Sequence, residues 1–555
     1  MNVSLMIPYE VAFILYQIQK SGFEAFLVGG AVRDLLISSL ESLQRTSTNK
    51  EEATTSFHEV ADYDFATNAT PVQIQQIFPD SYYTNEFGMV GIAYQNLNAE
   101  IVSKSFSLPS INIATRINQT SPELSSRIID LANATKIHSS LVKEATSASE
   151  STQPSQTQPP PFEITTYRSE GMYSDFRRPD EVVWGNTIEQ DLERRDFTIN
   201  AMALSVSQKN LETFFSKKNI SNSLLTIGEA DYKLTDPQNG LKDLAKRLIV
   251  TVRNPDERFE EDALRMLRAI RLSCQLNFEI EAMTLASIKT HAKLLQKISW
   301  ERIQVEFLKM LVSDQPAKGI HLLEKTGLLQ TIMPELITCR GVEQGGHHDT
   351  DVWTHSLDAL HNCPSKDPIV RLAALLHDIG KPRTYQLRNG EITFYNHEIV
   401  SSRIADAIAK RLRLSNEQRE KLFKLVRYHM FHYQPKDTDA AIRRMIKRVG
   451  LQYIDDILDL REGDRLGSGA KRTSWRLEEL KQRIVDQLNQ PMDTNDLALD
   501  GHDLIAELKL KPGKLIGEIL DHLLELVLED PELNTKEELL KKASEFRKTQ
   551  QTQPR

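Results

Sequence analysis

The chain has 555 residues, more than one hydrophobic core usually spans, so several domains are expected. With 40% hydrophobic and 26% charged residues and a mean hydropathy of −0.40 it has a globular composition, and no apolar run approaches the ~20 residues a membrane helix needs. The net charge of −9 speaks against a polyanionic partner on average, yet residues 403–448 are locally basic, with Lys410-Arg411, Arg443-Arg444 and Lys447-Arg448 densest, and such a stripe can serve RNA because the attraction is local. Residues 1–20 lack a signal-peptide pattern, and Cys274, Cys339 and Cys363 are scattered without C-x-x-C spacing. A reducing, cytoplasmic setting is expected.

Val11, Ile14, Leu15 and Ile18 recur at helical spacing, so a helix over residues 9–21 precedes an apolar strand, Phe26-Leu-Val28. Gly29 and Gly30 then make a turn into a helix beginning near Ala31, where backbone N–H groups and the helix start suit a phosphate. Residues 37–60 read as a polar loop. Asp62 and Asp64 follow, two apart and on one side of a strand, able to share a divalent cation. Thr70-Pro71 caps a helix with Ile74 and Ile77 inward, and residues 87–94 form a strand. Residues 104–161 are rich in Ser, Thr, Gln and Pro and read as a mostly disordered insertion. The stretches on either side, Gly91-Ile-Ala-Tyr94 and Phe162-Glu-Ile-Thr-Thr-Tyr-Arg168, look like adjacent strands. If they pair, Glu163 joins Asp62 and Asp64 as a third carboxylate.

Arg194, Arg195 and Asp196 stand at the head of what reads as an apolar helix, Phe197-Thr-Ile-Asn-Ala-Met-Ala203, with Asp196 as its cap. Asp236-Pro-Gln-Asn-Gly240 turns into a further helix. Residues 255–271 read as one helix with an acidic start, on which Arg265, Arg268 and Arg271 form a ridge beside Leu264, Leu267 and Ile270, a pattern suited to a buried anion site.

Gly-Gly-Ala-Val-Arg-Asp, Asp-Tyr-Asp, Arg-Arg-Asp-Phe-Thr-Ile-Asn-Ala-Met-Ala and Glu-Asp-Ala-Leu-Arg occur here in the order seen in class II tRNA nucleotidyltransferases and bacterial poly(A) polymerases. The resemblance covers residues 23 to roughly 340. It implies an α+β protein: a mixed β-sheet nucleotidyltransferase head followed by all-helical neck, body, HD domain and tail. It implies Mg²⁺ on Asp62 and Asp64 with Glu163 as third carboxylate, and triphosphate contacts at the Gly29–Gly30 turn and Arg33. Arg195 and Asp196 would hold sugar and phosphates, Asp262 and Arg265 would template the base, and Arg268 and Arg271 would neutralise phosphate. The implied reaction is two-metal transfer of CMP and AMP from CTP and ATP to the 3′ end of tRNA, releasing pyrophosphate. An A-adding or CC-adding variant, or a poly(A) polymerase, would share nearly every motif.

In the second half, His355, then Ala373-Ala-Leu-Leu-His-Asp-Ile-Gly-Lys-Pro382, then His397, His429 and Asp464, resemble the HD metal-dependent phosphohydrolase domain. The resemblance implies His355, His377, Asp378 and Asp464 as metal ligands, with His397 and His429 where two-metal members add theirs. Imidazole with carboxylate suits a divalent transition metal or Mg²⁺. Phosphate-ester hydrolysis is thus a main or second activity to weigh, and an RNA-binding scaffold a third reading. His347, His348 and His432 are expected at the surface. The expected division is a head at 1–205 with insertions at about 38–60 and 104–161, a neck and body at 206–340, an HD domain at 341–470, and a helical RNA-binding tail at 471–555. The sequence leaves the oligomeric state open.

Overall fold

Short, largely apolar runs build the strands of the first half. In chain order they are β1 (Leu5–Pro8), β2 (Ala25–Val28), β3 (Asp64–Thr67), β4 (Tyr82–Tyr83), β5 (Met89–Ile92), β6 (Phe162–Thr166), β7 (Ala203–Val206), β8 (Leu224–Ile227) and β9 (Tyr232–Thr235). Of these, β2, β3 and β5 are buried along most of their length. Leu27, Val28, Phe65, Ala66, Val90 and Ile164 are fully buried, and because Leu27–Val28 and Phe65–Ala66 are adjacent pairs, the central strands are covered on both faces. The computed structural model describes residues 4–46, 62–83, 89–94, 97, 162–168, 184–216, 224–345, 350–431 and 433–552. Among them, seven strands form one sheet in the order β4-β5-β6-β3-β2-β7-β9, with β3 and β6 parallel and the other neighbours antiparallel. β1 and β8 pair separately. β5 and β6 are adjacent, as the sequence suggests, with Ile92 opposite Phe162.

The chain divides into two compact units, one ending at Ile332 and one beginning at Met333. In the first, helix Tyr9–Lys20 buries Val11, Ile14, Leu15 and Ile18, the stripe read from the sequence. Helix Gly30–Thr46 runs well past the expected loop start at residue 37. Nothing between Gly30 and Thr46 breaks a helix, and Ala31 and Leu35 are both buried one turn apart. The rest of that loop, residues 47–60, and the 104–161 insertion lie outside the described residues. Thr70 caps helix Pro71–Ile77 with a full capping box.

Two further expectations give way. The run after Asp196 is not a helix but one 3₁₀ turn, Thr198–Asn200, followed by β7. Phe197, Ile199, Ala201, Met202, Ala203 and Leu204 are all fully buried, and a run apolar on every side does not distinguish strand from helix by periodicity. The sheet therefore continues beyond residue 205, and β9 forms its edge at 232–235. The helix expected over 255–271 is two helices, Pro255–Glu261 and Leu264–Leu276. Asp262 breaks it with extended backbone (φ −145°, ψ 100°), and its Oδ1 accepts from the Leu264 N–H at 3.0 Å, starting the second helix.

The second unit is mostly helical. Helices Val352–Asn362, Pro368–Leu376, His397–Arg411, Asn416–Tyr428 and Ile454–Gly467 pack together, and the hairpin Gln386–Arg388/Glu391–Thr393 falls between the second and third in chain order. Helices Gly501–Leu508, Lys514–Glu529 and Lys536–Thr552 share a core of Leu504, Ile519, Leu523, Val527 and Leu539. No helix among the described residues is long and apolar enough to cross a membrane. The basic stripe at 403–448 is largely tied up within this unit. Arg411 pairs with Glu335, Arg444 and Lys447 with Glu525, and buried Arg443 donates to the Leu528 and Glu529 carbonyls. Sequence counts the cations of that stripe but not the carboxylates that fold back on them.

Candidate active site and metal centre

Asp64 heads β3 and is in register with Glu163 on the parallel neighbour β6 and with Val28 on β2, the residue before the Gly29–Gly30 turn. One sheet end thus gathers the glycine turn and the carboxylates. Asp62 stands exposed two residues before Asp64. Burial raises the Asp64 carboxyl above its ordinary pKa and Asp62 adds to this, while Arg195 opposes it. Glu163 is raised by burial and then by Asp64 and Asp62. Carboxylates that repel one another in a half-buried site, offering only oxygen donors, fit a hard divalent cation such as Mg²⁺.

Gly29 adopts φ +71°, and a Cβ there would lie 2.8 Å from Arg195 Nη1 and 3.7 Å from Asp64 Oδ2, so only glycine leaves the cradle open. Gly30 begins the helix. Arg33, on its first turn, donates from Nη1 to Asn200 Oδ1 at 2.8 Å and pairs with Asp34. Arg195 is held from below by Asp191, which the sequence reading did not single out. Asp191 sits three and four residues before Arg194 and Arg195 on helix Ile188–Glu193, a spacing that was legible.

Asp196 is buried and accepts from the Phe197 N–H at 2.9 Å, while its Oδ2 takes Arg268 Nε at 2.7 Å. Burial opposes its ionisation, yet the Arg268 guanidinium holds the carboxyl down at about 2. Asp196 is thus an ion-pair partner rather than a helix cap. Arg271 pairs with Glu306 at 2.6 Å, and Arg268 also approaches Glu306 at 3.6 Å. The anions beside this part of the arginine ridge are protein carboxylates, which lie far from it in sequence. Arg265 bonds Glu261 and the Arg258 and Arg194 carbonyls; Asp262 bonds Arg302 at 2.7 Å. The helix break at Asp262 therefore separates the Asp262 and Arg265 side chains into different local networks.

The second centre is in the other unit. His355 lies within helix Val352–Asn362, His377 and Asp378 follow Pro368–Leu376, His397 opens its helix, His429 follows Asn416–Tyr428, and Asp464 lies on Ile454–Gly467. All six converge on a cavity of about 860 Å³. Asp378 bridges two clusters. Its Oδ2 is 3.4 Å from His355 Nε2 and 3.2 Å from His377 Nε2, with Asp464 Oδ1 3.2 Å from His355 Nε2. Its Oδ1 is 3.2 Å from His397 Nε2 and 3.7 Å from His429 Nε2. His377, His397 and His429 place Nδ1 2.8–2.9 Å from the carbonyls of Ala374, Phe394 and Val426, which fixes the proton on Nδ1 and turns the Nε2 lone pair to the centre. Burial opposes charging of His377, but Asp378 and Asp464 push its pKa up. A proton there offsets two buried carboxylates, the charge a metal would supply; the donor set fits.

Lys381, which the sequence reading left out, is 2.6 Å from Asp378 Oδ2 and donates to Gln344. Gly463 and Gly467, on either side of Asp464, are a further feature that the sequence pattern does not flag. A Cβ on Gly463 would meet the Ala359 carbonyl at 2.6 Å, and one on Gly467 the Ala359 nitrogen at 2.8 Å. Helix Ile454–Gly467 therefore lies directly on the backbone of the His355 helix, which puts Asp464 in reach. His347, His348 and His432 lie outside the described residues.

Comparison with known proteins agrees with this layout. Residues 25–128 and 118–250 match the poly A polymerase head domain, 277–339 the probable RNA and SrmB-binding site of polymerase A, and 352–465 the HD domain. The chain is 32% identical to an A-adding tRNA nucleotidyltransferase of Deinococcus radiodurans over 61% of this chain and 75% of that one. It is 34% identical to a CC-adding tRNA nucleotidyltransferase of Thermus thermophilus over 63% and 76%. A CCA-adding enzyme of Limosilactobacillus reuteri is 27% identical over 96% of each chain. The fold matches that of the Bacillus stearothermophilus CCA-adding enzyme with a TM-score of 0.59, at 22% identity and 98% coverage of both chains.

Proposed function

The chain belongs to the tRNA nucleotidyltransferase family, and on that premise we propose that it adds CMP and AMP from CTP and ATP to the 3′ end of tRNA, building or repairing CCA. The observation that carries the site assignment is the register of β3 and β6, which sets Glu163 against Asp64 beside the Gly29 turn and Arg195. Asp62, Asp64 and Glu163 would hold Mg²⁺, which when bound supplies Lewis-acid stabilisation of phosphoryl charge. Gly29, Gly30 and Arg33 form the cradle for the triphosphate, and Arg195 faces it from the other side. The RNA 3′-hydroxyl oxygen bonds to the α-phosphorus, its proton goes to solvent, and the bond to the β-phosphate oxygen breaks to release pyrophosphate. Asp262 and Arg265 offer an acceptor and donors to a base edge, with Arg302 and Glu261 setting their positions. Coverage of nearly the whole L. reuteri chain supports CCA addition, and the A-adding and CC-adding variants are separated from it by the assay that follows.

The test is extension of tRNA lacking its 3′ end with each labelled nucleotide. Wild type should incorporate both CMP and AMP, and Asp62→Ala with Asp64→Ala neither. AMP alone would leave an A-adding enzyme or poly(A) polymerase, and CMP alone a CC-adding one. The six converging ligands also support a divalent metal in the HD domain and hydrolysis of phosphate esters there as a second activity. That reading fails if metal analysis of the purified protein and its His377→Ala variant shows equal content. The three free buried thiols suit a reducing compartment, supporting the cytoplasm.

A further inference from the structure

Asp191 is the most completely buried carboxylate near the head site, with 0% of its side chain accessible. It carries two arginines that are themselves 23% and 18% exposed. Its Oδ1 accepts from Arg194 Nε at 3.0 Å and Nη2 at 2.7 Å, and from the Arg168 N–H at 3.3 Å. Its Oδ2 accepts from Arg195 Nε at 3.3 Å and Nη2 at 3.1 Å. Arg195 is thereby gripped along one edge. Its remaining nitrogen, Nη1, makes no hydrogen bond among the described residues and lies against Gly29, 2.8 Å from where a Cβ would stand there, on the Asp64 side.

We infer that Asp191 is a positioning residue for nucleotidyl transfer, one buried carboxylate that aims Arg195 at the phosphate cradle. The inference rests on the placement of the nucleotide at the head site. An ion pair that only holds the fold together would use up the Arg195 guanidinium. Here half of it is left facing the place where a triphosphate would lie. A fixed fork loses little freedom on meeting a phosphate, whereas a free arginine must be ordered at that moment.

The experiment compares wild type, Asp191→Asn, Asp191→Glu, Arg195→Ala and Asp191→Asn/Arg195→Ala in the full chain. It measures KM and kcat for CTP, ATP and tRNA, the Kd for CTP with Mg²⁺ in the absence of tRNA, and thermal unfolding. Asp191→Asn should raise the nucleotide KM and the CTP Kd by about tenfold or more while the tRNA KM stays within twofold, the order expected for a charged hydrogen-bond pair. Asp191→Glu, which keeps the charge, should recover part of that loss. The double variant should bind CTP no more weakly than Arg195→Ala alone, since Asp191 acts through Arg195. Equal losses for nucleotide and tRNA, or additive losses in the double variant, would overturn the inference. If wild type binds CTP but extends no tRNA, the proposed reaction fails, and the CTP Kd series still decides the role of Asp191.

Discussion

The Gly463→Ala substitution tests how the second metal centre is held. A Cβ at this position would stand 2.6 Å from the Ala359 carbonyl oxygen and 3.1 Å from the Cys363 Cα, both on or beside the opposing helix. These are backbone atoms, so no side chain can swing aside. A carbon-to-carbonyl contact settles at about 3.3 Å or more, so the helices must part by roughly 0.7 Å. Asp464 is the next residue, its Oδ1 3.2 Å from His355 Nε2 across that same contact. Metal–ligand distances tolerate only about 0.2 Å, so Asp464 would leave ligating range while His355, His377 and Asp378 remain. The expected outcome is a ~10–100-fold loss of Mn²⁺ affinity, measured by calorimetric titration, with a destabilisation of about 1–3 kcal/mol in urea unfolding. Gly517→Ala is the control. It lies on helix Lys514–Glu529 with no atom within 4 Å of the added Cβ, and it should stabilise slightly without touching metal binding. A folded Gly463→Ala protein that binds Mn²⁺ as tightly as wild type would refute the reasoning.

Glu163→Gln removes one of the mutually repelling carboxylates at the head. Since burial and its acidic neighbours raise the Glu163 pKa, ionisation costs stability at neutral pH, and the variant should melt slightly higher than wild type in chelator but lose the upward Tm shift that Mg²⁺ gives wild type. Gly29→Ala combines a strained positive φ with a Cβ 2.8 Å from Arg195, so the KM for both nucleotides should rise together, as steady-state kinetics would show. Asp196 has its pKa lowered to about 2, so its contribution is complete above the unfolded value near 4 and fades as pH falls toward 2. The shift corresponds to roughly 2 kcal/mol, and Asp196→Asn should flatten that part of the acid-unfolding curve; an unchanged slope between pH 4 and 2 would show that the Arg268 pair contributes nothing.

Much of the head was legible because its signals are local. The Thr70 capping box, the Val11–Ile18 stripe and the paired strands flanking the 104–161 insertion depend on neighbours within a few residues or on burial of both faces. The errors lie where a distant residue decides. Nothing near Asp262 in sequence announces Arg302, 40 residues on, and the Asp262–Arg302 pair accompanies the break in what reads as one continuous helix. The arginine ridge reads as an anion site until Asp196, 72 residues upstream, and Glu306, 35 downstream, are placed against it. Charge pattern gives the sign of a site's needs; only the fold says which partner meets them.

That distinction separates the two centres. Within the HD centre the buried negative charge of Asp378 and Asp464 meets Lys381, protonatable His377 and Arg461, so the protein can partly neutralise its own ligands without a metal. At the head, among the described residues, Arg195 is the group that lowers the Asp64 pKa, and Asp191 already holds one edge of that arginine. The head carboxylates therefore carry more unbalanced charge, and their stability should respond more steeply to a divalent ion. Chelation followed by Mg²⁺ addition should shift the unfolding of the first unit more than the second, read by hydrogen exchange in β3 and β6 against helices Val352–Asn362 and Ile454–Gly467. An equal response would mean that the cations beside the ligands do not set how steeply each centre responds to its ion.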